Sequence, residues 1–161
     1  MPISDINTYG AGTLGEFLPK ARADLVTLLT SFKDTLNATG INPNINDVFD
    51  YYADVAAHPY ITVDLLEPTI EYLSRSTASY HIRVDVPAQV VVHFGPLDGK
   101  YQTQQRWTLL QSLLNFLKDY STPGSNVDAM YLQRIQEDVM VPKTGFHVAI
   151  ITMNLLKVLA T

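Results

Sequence analysis

From Tyr80 to Val86 the chain alternates without exception: Tyr80, Ile82, Val84 and Val86 are apolar, while His81, Arg83 and Asp85 are polar or charged. A period of two identifies a strand, because successive side chains leave a pleated backbone on opposite faces. The pattern also constrains its surroundings. One face needs a layer to bury it and the other meets water, as in an antiparallel sheet covered on one side. Tyr60–Leu65 repeats the pattern, with Ile61, Val63 and Leu65 facing inward and Tyr60, Thr62 and Asp64 facing outward. Phe146–Leu156 is apolar on both faces, which predicts a central strand between two layers. Met130–Val141 is expected to precede it as a partner strand around a turn at Pro142–Gly145. Val90–Phe94 is a further short apolar run that continues a strand past Pro87.

Two segments have a helical period instead. Ala21, Leu25, Leu28, Phe32 and Leu36 form one stripe and predict a helix over Glu16–Leu36, with Pro19 in its first turn and Asn37 and Gly40 at its end. Trp107, Leu110, Leu114 and Leu117 form a second stripe, flanked by Leu109, Leu113, Phe116 and Tyr120. This predicts a helix over Tyr101–Tyr120 with a wide, well-covered apolar face. Turn residues separate the elements: Ile41–Asp47, Gly95–Gly99 and Ser121–Asn126. Glu67–Thr77, rich in Ser and Thr, reads as a long hairpin whose tip projects from the sheet. Residues 1–13 read as an irregular arm with Ile3, Ile6 and Tyr9 as its apolar anchors, either frayed or ordered on a neighbouring subunit.

The order helix, two or three strands, helix, two strands implies an α+β fold. A mixed or antiparallel sheet of about four to five strands packs against two main helices. The 161 residues suit one domain over 14–161.

The residues argue against several kinds of chemistry. There is no cysteine, so no disulfide framework or thiolate metal site exists. His58, His81, His93 and His147 have no partner at metal-ligand spacing on one element, and structural roles are expected for all four. Glu137 and Asp138 are adjacent on a strand and should point to opposite faces. Gly10–Gly15 superficially resembles a dinucleotide fingerprint, but no strand precedes it. No catalytic residue, cofactor site or metal site is assigned, and the chain is expected not to be an enzyme. With 11 basic and 16 acidic residues and no basic cluster, it lacks the electrostatic footprint of a nucleic-acid binder. No targeting segment or membrane span is expected, so the chain should be soluble.

The element order, with His58-Pro59-Tyr60-Ile61-Thr62-Val63, then Ser79 through Val86-Pro87-Ala88-Gln89, and the closing Gly145-Phe146-His147-Val148-Ala149-Ile150-Ile151-Thr152, resembles the tail terminators of lambda-like long-tailed bacteriophages. The likeness covers about residues 14–155, and the arm and the Val90–Phe94 run depart from it. The resemblance implies a tail-tube-like fold and a ring, usually of six subunits, on the head-proximal end of the tail tube. There it would end tube polymerisation and present a surface to the head connector. Its partners would be itself, the tube protein and neck proteins, with DNA only passing through the lumen and no cofactor. It would be assembled in the host cytoplasm and reside in the virion. Candidate interface residues are His81, Arg83 and Asp85 on the outward strand face, with Tyr72 and Arg75 in the hairpin. The alternative for that face is ordinary solvation. Two other functions stay open: another neck, tube, head-completion or baseplate protein, and a small ligand-binding domain or enzyme.

Overall fold

The computed structural model describes residues 14–40, 44–50, 58–75, 80–96, 103–141 and 145–160. The predicted arm therefore lies outside the described residues. Helix α1 spans Leu14–Ala38, followed by β1 (Val48–Phe49), β2 (Tyr60–Leu65), β3 (Thr69–Arg75), β4 (Tyr80–Pro96), α2 (Thr103–Leu117), β5 (Ala129–Val141) and β6 (Phe146–Ala160). The six strands form one mixed sheet in the order β1-β2-β4-β6-β5, with β3 also paired to β4. Every pairing is antiparallel except β1 with β2. The α+β expectation holds, with more strands than the expected four to five.

The extra strands come from the hairpin and from the short β1. Strand β4 runs through Pro87 and joins Tyr80–Val86 to Val90–Phe94, in line with the apolar run beyond the proline. Its first half pairs with β3 from Tyr80 to Asp85, and its second half pairs with β2 from Ala88 to His93. Thus β2 and β3 form one interrupted arm beside one continuous arm. Pro87 falls at the interruption, where its carbonyl accepts the Leu66 N–H at 2.8 Å. A residue's N–H and C=O point to the same side in an antiparallel ladder, so the hydrogen that proline lacks would have pointed into this gap. That is how a proline fits within a central strand.

Both helices cover one face of the sheet. Phe17, Ala21, Leu25, Leu28, Leu29, Phe32 and Leu36 of α1 join Leu109, Leu110, Leu113 and Leu117 of α2 over the inner faces of β4 and β6. Alternation in β4 is complete: Ile82, Val84, Val86, Ala88, Val90, Val92 and Phe94 are all buried. The α1 stripe is buried as read. The helix begins two residues earlier than expected, so Pro19 falls in its second turn and removes the bond to the Gly15 carbonyl.

Several expectations need correction. Helix α2 stops at Leu117, and Trp107 and Tyr120 are exposed rather than covered. The sheet ends laterally at β5, which leaves Trp107 at a margin. Strand β6 is central, but its Ile150 and Leu156 are only half-buried and Val158 is exposed, because among the described residues no second layer covers that face. Tyr60 and Thr62 are buried on the face expected to be wet, since neighbouring rings close over them. The β5–β6 register shifts between Gln136 and Val139, so simple alternation does not carry through Glu137 and Asp138.

Candidate functional site

Three surface features sit on this scaffold. The first is a polar strip on the uncovered sheet face. Arg83 and Asp85 lie two residues apart on β4 and form a bidentate pair, Nε to Oδ2 at 3.0 Å and Nη2 to Oδ1 at 3.2 Å. Asn154 of β6 donates to the same Asp85 oxygen at 2.9 Å. Glu71 stands opposite Arg83 in the ladder. The Arg83 guanidinium is held further into its charged form by Asp85, with smaller contributions from Glu71 and Tyr131. His81 is exposed at the start of the same face. Tyr72, opposite Ile82, belongs to the inner face, half-buried against the core, and so does not share the surface of Arg83 and Asp85. Arg75 pairs through its backbone with Tyr80, and its side chain lies outside the described residues.

The second feature lies at the other end of the same face. Tyr60 stacks on the His93 ring at 4.3 Å and 10°. His58 packs between Tyr60 and Phe146 at 5.2 and 5.1 Å. His93 Nε2 and Thr62 Oγ1 share a hydrogen bond of 2.9 Å, its direction set by the imidazole tautomer. Burial, then the nearby His58, depresses the His93 pKa to about 4, and burial also lowers that of His58. Both rings are therefore neutral at pH 7. Beside them a cleft of about 280 Å³ is lined by Asp50, Thr62, Asp64, Gln89 and His93 with Val63 and Val91. Sequence spacing gave no hint of this association, because the residues come from separate strands and the loop before β2. Among the described residues no group of three or more His, Cys, Asp or Glu could hold a metal ion.

The third feature is a groove of about 340 Å³ between α2 and the edge strand β5, lined by Trp107, Leu110, Gln111, Leu114, Ile135 and Glu137. Trp107 is 56% exposed, as is Tyr131 on β5, with Leu132 and Ile135 also exposed. The apolar period of α2 marked Trp107 in the sequence as a core residue. Only the end of the sheet makes it a surface residue.

No described feature assembles a nucleophile, a base and an oxyanion donor. The polar strip and the apolar groove instead offer the ingredients of protein contacts: a fixed charge pair, and aromatic area around a concavity. Among the described residues no helix is long and apolar enough to cross a membrane. No protein-family model matches the chain, and no curated protein is detectably similar to it.

Proposed function

We propose that this chain is a non-enzymatic assembly protein that closes the head-proximal end of a bacteriophage tail tube as a ring. There it ends tube polymerisation and receives the head connector. The observation that carries the reading is the two-armed hairpin. One arm is β2 continued by β3, the other is the 17 residues of β4, and their outward face holds the bidentate Arg83–Asp85 pair beside Glu71. The inner side chains Ile82, Val84 and Val86 of that part of β4 are buried in the core, so the face it leaves for a ring contact is the outward one that carries Arg83 and Asp85. A sheet covered on one face, an acidic balance and an exposed apolar margin at Trp107 and Tyr131 agree with a subunit completed by its neighbours. On this reading DNA passes through the lumen without sequence-specific contact, and the protein resides in the virion neck after assembly in the host cytoplasm.

Electron microscopy of the purified chain, alone and mixed with tail-tube protein, tests the proposal. Rings that seat on tube ends and stop elongation are expected. A strict monomer at high concentration, even with tube protein present, overturns it. Incorporation along the tube instead of at its end assigns the chain to another tail component.

A further inference from the structure

One cross-strand row on the uncovered sheet face ends in opposite charges. Arg134 pairs with Thr152, Thr152 with Gln89, and Gln89 with Asp64, so the four residues share one face in a line from β5 to β2. These strands lie toward opposite margins of the sheet. Arg134 and Asp64 are both exposed and stand three strand spacings apart, about 14 Å. Neither has an ion-pair partner among the described residues. Asp64 belongs to the cleft of about 280 Å³, which also holds the Asp50 carboxylate and the Gln89 carboxamide, with no Lys or Arg among the described residues that line it. The His93 ring beside them is neutral at pH 7, so no positive charge there opposes a cation. Val91 adds an apolar wall on which the methylene stem of a long basic side chain can lie. A guanidinium suits several separated acceptors, because its five donors fan out in one plane.

We propose that this cleft receives the Arg134 side chain of a neighbouring copy, so that the end of one row meets the start of the next. The inference rests on the ring reading for the presence of a neighbour, and it names the contact between subunits. A head-to-tail contact joins two different patches of the same chain, and such contacts close into rings. Charge complementarity selects Arg134. Lys20, Lys33, Arg83 and Lys157 already face carboxylates at 3.9, 3.5, 3.0 and 3.4 Å. Arg22 and Arg106 belong to the helices, and Lys118 directly follows α2, all in the layer on the other side of the sheet. Among the described residues, Arg134 is therefore the exposed cation of the uncovered face that lacks a carboxylate. Tyr131, exposed on the same face of β5, brings aromatic area to the contact.

Two charge reversals in the full-length chain test the contact. Arg134→Glu sets a new carboxylate against Asp50 and Asp64 of the next copy, and Asp64→Arg sets two guanidinium groups together. Each variant alone should melt like the parent, while its self-association by sedimentation, with or without tube protein, weakens about tenfold or more. Mixed in equal amounts the two should assemble again in alternating order, because the reversed charges then meet each other and every other contact is the native one. Parent-like association of either variant alone overturns the inference. So does a mixture that stays apart although both variants melt like the parent. If a reversal unfolds the chain, Arg134→Gln and Asp64→Asn replace it, and parent-like association of both overturns the inference. Rings indifferent to these substitutions reject this inference alone. A closed dimer or an open filament with the same charge dependence keeps the contact and rejects the ring reading alone, and a parent that stays monomeric even with tube protein overturns both.

Discussion

Asp24 of α1 receives both the backbone N–H of Asn126, at 2.9 Å, and its side-chain amide, at 3.0 and 3.1 Å, across 102 residues of chain. This carboxylate ties the first helix to the loop that launches β5. Asp24→Ala leaves those donors without a partner in a half-buried site, at a cost of about 1–3 kcal/mol. At roughly 2–4 °C per kcal/mol for a chain of this size, calorimetry should register a clear fall in Tm. A Tm equal to that of the parent would show that the clamp contributes nothing.

Two glycines with positive φ separate strain from crowding. Gly145 (φ 68°) has open space where a Cβ would stand, whereas at Gly95 (φ 85°) a Cβ would come within 2.8 Å of the His58 ring. Gly145→Ala should cost only the backbone term, about 1–2 kcal/mol. Gly95→Ala carries that term plus displacement of His58, and denaturant titration should rank it clearly lower in stability.

His93 makes the fold sensitive to acid. Its folded pKa of about 4 lies below the ordinary 6.5, so between those values the unfolded chain takes up a proton that the folded chain refuses. The stabilising effect is complete above pH 6.5 and is lost as pH falls toward 4, and His58 acts in the same direction. His93→Gln keeps an amide for Thr62 and removes this titration. Thermal midpoints measured from pH 7 to 4 should fall less steeply in that variant, and an identical slope would count against the assignment.

Charge reversal at Arg83 would set a new carboxylate beside Asp85 and Glu71, mixing a folding defect with an assembly defect. Arg83→Gln is the cleaner test, because it removes the charge without adding repulsion. The variant should melt close to the parent yet form rings or cap tubes poorly, as read by sedimentation and microscopy. Normal capping would move the interface away from this strip.

Much of the framework was legible because it rests on periodicity. The α1 stripe and the inner face of β4 follow directly from Leu25, Leu28 and Phe32 and from Ile82, Val84 and Val86. The continuation of the strand past Pro87 also follows from the apolar run Val90–Phe94, whereas the interruption of the partner arm that accommodates Pro87 was not legible, because it arises only where β2 gives way to β3. Nor was the His93 site, where Thr62 stands 31 positions away and becomes a partner only through the β2–β4 register. Trp107 misled in the other direction: its helical phase is that of a core residue, and lateral position in a layer leaves no trace in a period.

The gap facing Pro87 also divides the hairpin into two cooperative units. Amides of β2 are locked into a parallel neighbour on one side and β4 on the other, while those of β3 lean on β4 alone. Because β4 keeps its ladder with β6 throughout, β3 can open without exposing the core strand on its second side. Hydrogen exchange should therefore begin at Thr69–Arg75 and spread no further than Leu66, so β3 can loosen while the rest of the sheet remains at full protection.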